Sequence, residues 1–305
     1  MRTPSSRVRI GREVARARTA IAGRARRVAD RLDGRSSLVL DYPTSAENHP
    51  RYGYGRPTHP GLEALISRND DAYENVLEAI LSRREALSRI PSSLDDDREP
   101  TWRNPYLPAL DGAALYTFLC DRRPSHYVEI GSGNSTRFVA RAKRDCGLAT
   151  EIISIDPHPR AEVETLCDTT IRAPLETVDL GVFDKVEQGD IVFMDGSHRV
   201  FMNSDAVVFF LDVLFSLPPG VLVGIHDIYL PDDYDPWEAD DFYSEQYLLA
   251  LALLVDPGTL RIVLPADYVE KHSRLRRVLE PLWNEPALAG ADHYGCAFWI
   301  ETSPG

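Results

Sequence analysis

The sequence has little of what would make it a disulfide scaffold, a zinc ribbon or a membrane protein. Its 305 residues include four cysteines, Cys120, Cys146, Cys167 and Cys296, widely spaced and without a C-x-x-C pair. That argues against a stapled fold or a thiolate ribbon and favours reduced cysteines in a cytoplasmic protein. No apolar run approaches the ~20 residues of a membrane span; the most apolar stretches are residues 206–215 and 220–225. Positive charge is also scarce, with 34 Lys and Arg against 47 Asp and Glu for a net charge of −13. Such a surface repels phosphate backbones and anionic lipid, so neither nucleic acid nor membrane is an expected partner.

The positive charge that exists gathers at one end. Residues 1–35 hold 11 Arg against three acids, a net +8 that leaves the other 270 residues at −21. Residues 8–32 have the composition of a helix without the apolar core of a secretory signal, and read as a solvated or subunit-contacting helix. Residues 41–60, rich in Pro and Gly, form a connector. From 62 to 90 apolar residues such as Tyr73, Val76, Leu77, Ile80 and Leu81 recur at three- and four-residue steps, as one buried helical face requires. Residues 91–108, with four prolines, break that pattern. A basic arm and helical region over residues 1–100 is thus expected to precede a main domain over 101–305.

In the main domain the pattern changes. After a helix at 111–120, strands are expected at 127–131, 151–156, 169–172, 190–195, 220–227, 260–264 and 296–301. Helices are expected between them at 135–145, 160–167, 174–178, 203–216, 244–255 and 273–283. This alternation predicts an α/β fold, a Rossmann-like, doubly wound seven-stranded sheet.

The first strand runs into Val128-Glu129-Ile130-Gly131-Ser132-Gly133-Asn134-Ser135-Thr136 and then a helix. Glycines here let the backbone approach a ligand, the helix start offers free N–H groups, and Ser135 can cap it. The second strand ends in Asp156, where a carboxylate can accept hydrogen bonds from both hydroxyls of a ribose. Loop and carboxylate together predict a nucleoside-cofactor site. A dinucleotide fingerprint wants a small third residue so that the helix can approach the pyrophosphate, and Thr136 stands there.

Glu129, two residues before the first glycine, completes the E/D-x-G-x-G pattern of class I S-adenosylmethionine-dependent methyltransferases, which the chain resembles over roughly residues 100–300. With Ser154-Ile155-Asp156-Pro157, Gly189 to His198 through Met194-Asp195-Gly196-Ser197, and His226-Asp227-Ile228-Tyr229-Leu230-Pro231, it is similar to a bacterial small-molecule subgroup of that superfamily. The resemblance implies an antiparallel last strand and S-adenosylmethionine as cofactor. It places Gly131 and Gly133 beside the methionine moiety and Asp156 on the ribose, with Glu129 supporting the amino end or the loop. Ser132, Ser135 and Asp195 join the same cofactor-binding set. It further implies transfer to a small-molecule acceptor, at a hydroxyl rather than an amine. A nicotinamide- or sugar-nucleotide-dependent enzyme and a non-catalytic cofactor-binding scaffold are the alternatives, and a homodimer is left open.

Asp195 closes the fourth strand and His226-Asp227 the fifth, at the edge where ligands bind in such sheets, and His198 follows on the Asp195 loop. Two chemistries need such a set. Asp195, His226 and Asp227 can hold a divalent cation that lowers the pKa of the acceptor oxygen; imidazole moves the preference from Mg²⁺ toward Mn²⁺, Fe²⁺ or Zn²⁺. Alternatively His198 or His226 is a general base, with Asp195 or Asp227 orienting the ring. His226 as a packed strand end and His198 as a loop cap is the third reading. Residues 229–247 mix aromatics with acids and read as an acceptor loop or an acidic connector. Residues 102–106 either cover the cofactor or connect.

Overall fold

A computed structural model describes residues 50–94, 96–235 and 241–304. The basic arm with its expected helix at 8–32 lies outside the described residues, as does Trp237 of the acidic loop. In chain order the helices and strands are α1 (Pro60–Ile66), α2 (Asp70–Ser82), α3 (Arg84–Leu87), α4 (Ala109–Arg122), β1 (His126–Ile130), α5 (Asn134–Asp145), β2 (Glu151–Ile155), α6 (Ala161–Glu164) and β3 (Thr169–Ile171). They continue with β4 (Ile191–Met194), α7 (Asp205–Val208), β5 (Leu222–Ile225), α8 (Gln246–Val255), β6 (Leu260–Pro265), α9 (Ala266–Lys271), α10 (Ser273–Arg276), α11 (Glu280–Trp283) and β7 (Phe298–Thr302).

The seven strands form one sheet in the order β3-β2-β1-β4-β5-β7-β6, parallel except for β7, which runs antiparallel to both β5 and β6. This is the doubly wound, Rossmann-like sheet expected from the sequence. Every residue of β4 and β5 is buried, and both read as unbroken apolar runs because helices cover both faces.

Three expected helices are divided. The run over 62–90 becomes α1, a 3₁₀ turn at Ser67–Asn69, α2 and α3, yet Tyr73, Leu77 and Ile80 keep the periodicity as the fully buried face of α2. The run over 203–216 starts as α7 and passes through a π turn at Phe209–Val213 into a 3₁₀ turn. The insertion over 273–283 is α10, a 3₁₀ turn and α11, with Pro281 in the first turn of α11 marking the break.

Helix α4 is buried along its length from Ala109 to Cys120. A helix apolar on all sides must be covered on all sides: α2 and α5 pack against it, and Phe118 meets Trp299 of β7 at 4.9 Å. The helices before residue 100 therefore share one hydrophobic core with the sheet. Near the end of α4, Cys120 is joined by a disulfide to Cys146, the residue after α5, with Cα atoms 5.7 Å apart. The expectation of four reduced cysteines is corrected on this point; Cys167 and Cys296 are free. A 26-residue separation along the chain hides a pair that the adjacent packing of α4 and α5 brings together. Among the described residues, no helix is long and apolar enough to cross a membrane.

The sheet positions the site through its register. Ile130 pairs with both Ile155 and Met194, and Met194 with Ile225, so four strands end level. The ladder continues one residue further: Gly131 N–H donates to Ile155 O, Asp195 N–H to Ile130 O, and His226 N–H to Met194 O, each at 2.9 Å. Gly131, Asp156, Asp195 and His226 thus stand in a row along the carboxyl edge, across the point where strand order reverses between β1 and β4. That is where an open α/β sheet leaves a crevice.

Candidate active site

The glycine loop is built around a buried carboxylate. Glu129 is fully buried and accepts hydrogen bonds from Tyr127 OH at 3.0 Å, Ser135 Oγ at 3.1 Å and Thr136 Oγ1. Thr136 Oγ1 in turn accepts the Gly133 N–H at 3.0 Å. Gly133 is the N-cap of α5; Ser135, expected as the cap, lies one position inside the first turn and spends its hydroxyl on Glu129. Of the two roles open to Glu129, the geometry matches the second, internal support of the loop.

Burial pushes the Glu129 carboxyl from 4.5 up to about 8, against the lowering effect of its three hydroxyl donors. The folded state therefore holds this proton more tightly than the unfolded chain does. The stabilisation is full below about pH 4.5 and is lost as pH rises through about 8. Across that interval, melting temperature is expected to fall more steeply with pH in the wild type than in Glu129→Gln, as measured by calorimetric scans at fixed ionic strength.

Gly131 has φ +81°, and a Cβ there would lie 1.9 Å from the Asp195 carbonyl oxygen. Ser132 donates from both N–H (2.9 Å) and Oγ (2.7 Å) to Asp156 Oδ2, while Asp156 Oδ1 accepts the His158 N–H at 2.7 Å. Gly131, Ser132, Asp156 and Asp195 border a cleft of 470 Å³ that is also lined by Pro174, Leu175 and Glu176 after β3. Glu129, Gly133 and Ser135 do not border it.

Beside the cleft, carboxylates and imidazoles converge. His198 Nε2 is 3.5 Å from Asp195 Oδ1 and 3.4 Å from Asp227 Oδ2. His226 Nδ1 is 3.6 Å from Asp195 Oδ1 and 3.4 Å from Asp227 Oδ1, and has no hydrogen-bond partner among the described residues. Asp195, His226 and Asp227, the triad expected from sequence, thus lie together, and His198 joins them. The ligand atoms brought within 4.8 Å of one another are those of Asp195, His198 and Asp227, with His226 on the flank. His198 and Asp227 adopt left-handed backbone, φ 60° and 54°, a costly conformation for non-glycine residues that here turns both side chains into the cluster.

Burial alone would lower the His198 pKa, but the charges of Glu245, Asp227 and Asp195 outweigh it and carry it to about 9. His226 is raised likewise by Cys296, Asp227 and Asp195 against its burial, and the imidazoles hold Asp227 well below the usual carboxylate range despite burial. A field that holds protons on buried imidazoles is one that favours a cation.

Residues 128–228 match a family model described as a methyltransferase domain. The segment runs from the start of the glycine motif past the His226-Asp227 pair. Over that third of the chain the protein is similar to a methyltransferase domain. Solved structures that it resembles include an O-methyltransferase of Bacillus cereus in complex with S-adenosylhomocysteine, at 14% identity over 75% of this chain and 91% of that one, TM-score 0.40. Another is the S-adenosylhomocysteine-bound methyltransferase PaMTH1 of Podospora anserina, at 15% identity over 83% and 100%, TM-score 0.41. A third is the O-methyltransferase TomG of Streptomyces achromogenes, in complex with S-adenosylmethionine, at 18% identity over 80% and 96%, TM-score 0.34. No curated protein sequence matches the chain.

Three residues around the cluster escaped the sequence reading as functional groups. Glu245, fully buried just before α8, accepts from His198 Nδ1 at 2.6 Å, while the N–H groups of Ser244 and Glu245 hold the His198 carbonyl. It therefore decides which ring nitrogen faces the cluster. Asp205 accepts from the N–H and Oγ of Ser197 and orders the loop carrying His198. Asp111, in the first turn of α4, lies 3.5 Å from His226 Nε2. The available signal was an acid set beside apolar helical sequence, since a buried carboxylate needs a partner.

The acidic loop packs on the cluster: the Tyr243 ring lies 4.5 Å from that of His198, and Tyr234 is buried with its OH accepting the Gln246 N–H at 3.1 Å. Of residues 102–106, Trp102 is core, packed on Phe138 at 5.1 Å, and Asn104 Oδ1 accepts from Asn134 Nδ2 at 2.9 Å beside the glycine loop. Beyond them a second pocket of 200 Å³ opens between Asn104, Tyr106, Tyr229, Asp292 and Tyr294, with His226, Asp227 and Cys296 in its wall.

Proposed function

We propose that the protein transfers the methyl group of S-adenosylmethionine to a hydroxyl of a small polar acceptor. One observation carries this reading: the cleft edged by the glycine loop and the pocket beside Tyr229 reach the same cluster from two sides, Asp195 bordering the former and Asp227 the latter. The cleft suits the cofactor, with Gly131 pressed against the Asp195 carbonyl on one side and Asp156 on the other. Gly131, Ser132 and Asp156 would hold it, with Pro174 to Glu176 beside the base. Bound there, it supplies an electrophilic methyl on a sulfonium.

The protein's own work is alignment and deprotonation. Glu245 fixes His198 Nδ1, so Nε2 faces the space between Asp195 and Asp227. An acceptor hydroxyl entering there donates to a carboxylate, and His198 Nε2 can take its proton once the ring has lost its own, a step that the raised pKa of about 9 moves to alkaline pH. A hydroxyl needs this help more than an amine does, which favours oxygen as the reacting atom. The donor set of two carboxylates and an imidazole, with spacings too long for hydrogen bonds and an unpartnered His226 Nδ1 beside them, also fits a divalent cation. Asp195, His198 and Asp227 would hold it, and it would lower the pKa of the acceptor hydroxyl.

Titration calorimetry tests the reading. S-adenosylhomocysteine is expected to bind and NAD⁺ to give no heat. Mn²⁺ is expected to bind the chelator-treated wild type and not the Asp195→Asn, Asp227→Asn double variant. Binding of NAD⁺ alone would overturn the cofactor assignment.

A further inference from the structure

We propose that Asp111, His226 and Cys296 form a second cation site, suited to a borderline ion such as Zn²⁺ and distinct from the Asp195, His198 and Asp227 group. The three side chains come from separate parts of the fold: the first turn of α4, the end of β5 and the approach to β7. All three are at least 95% buried. Their ligand atoms form a nearly regular triangle, with Cys296 Sγ to His226 Nε2 at 3.4 Å, His226 Nε2 to Asp111 Oδ2 at 3.5 Å and Cys296 Sγ to Asp111 Oδ2 at 3.6 Å.

The imidazole–carboxylate spacing is too long for a good N–H···O bond. It is nevertheless the spacing a tetrahedral ion imposes. Bonds of about 2.3 Å to sulfur and about 2.0 Å to nitrogen and oxygen, at tetrahedral angles, put ligand atoms about 3.3–3.6 Å apart.

The supporting contacts have the character of a held ligand set. Asp111 is oriented by the N–H groups of Cys296 (2.8 Å, to Oδ2) and Ala297 (3.0 Å, to Oδ1). Asp227 Oδ1 lies 3.2 Å from Cys296 Sγ and is a candidate further donor. His226 and Cys296 also line the 200 Å³ pocket, which supplies an entry path and room for a water or an oxygen ligand. The ring of His226 then spans two sites, Nε2 toward the thiol and Nδ1 toward Asp195 and Asp227. A sulfur, nitrogen and oxygen set selects Zn²⁺, Co²⁺ or Fe²⁺ over Mg²⁺. Nothing in this assignment depends on methyl transfer.

The probe is Co²⁺ alone, titrated under reductant into the full chain after dialysis against a chelator. The wild type is expected to develop thiolate-to-cobalt charge-transfer absorption in the near ultraviolet, and Zn²⁺ to erase it. Cys296→Ser is expected to lose the band while its circular dichroism and S-adenosylhomocysteine binding match the wild type. Cys167→Ser and Asp195→Asn are expected to retain it. A wild type without the band overturns the proposal, as does a band that survives Cys296→Ser or disappears in Cys167→Ser. Loss of the band in Asp195→Asn would refute the distinctness of the two sites.

Discussion

Gly131→Ala is expected to lose S-adenosylhomocysteine binding by at least about 100-fold, a cost of about 2.7 kcal/mol. Two penalties coincide at this position. The backbone is left-handed at φ +81°, which costs a side chain about 1–3 kcal/mol. The added Cβ would also meet a backbone carbonyl, Asp195 O, at 1.9 Å, in a residue whose N–H is held by Ile130 O. The loop must move away from β4, and the cleft borders on both. Gly133→Ala is the contrast, because its backbone is extended and its Cβ would meet nothing within 4 Å. Gly133 does not border the cleft, so the variant's melting temperature and S-adenosylhomocysteine affinity should both stay close to those of the wild type. Calorimetric titration of both variants, with thermal melts as the folding control, checks the pair; wild-type affinity in Gly131→Ala would refute the placement of the cofactor.

The second large effect is expected at His198. In His198→Gln, methyl transfer should fall by about 10²–10⁴-fold, the range for loss of a positioned acid or base, while S-adenosylhomocysteine affinity stays close to that of the wild type. His198 does not border the cleft, which is why the two quantities separate. Glu245→Gln should lower kcat more than KM, because it removes the charged partner of Nδ1 without touching the pocket, and Glu245→Asp should recover part of the loss. Transfer of a tritiated methyl group to the best acceptor in a panel of hydroxylated small molecules measures both. A His198→Gln enzyme of wild-type rate would leave deprotonation to another group.

The glycine motif, the seven strands and the edge carrying Asp156, Asp195, His226 and Asp227 were legible because they are local. A strand buried on both faces announces itself as an apolar run, and a carboxylate at its tip is one residue further along the chain. The roles of those residues were less legible. His198 and His226 follow strand ends, where side-chain direction depends on backbone dihedrals, and left-handed turns at His198 and Asp227 accompany the approach of His198 to the cluster. Glu129 was visible as a motif acid, but only three-dimensional packing turned it inward onto Tyr127, Ser135 and Thr136.

From the sequence alone come the seven-stranded sheet, the glycine loop and the expectation of a nucleoside cofactor, all written in periodicity and adjacent residues. Tertiary structure decided the disulfide between Cys120 and Cys146, the His198–Glu245 pair across 47 residues, and the meeting of Asp111 with Cys296 across 185. The reason is physical. Periodic burial is a property of a segment, whereas an ion pair, a disulfide or a ligand set is a property of two or more segments. Their distance is set by how helices and strands pack, and no local pattern records it.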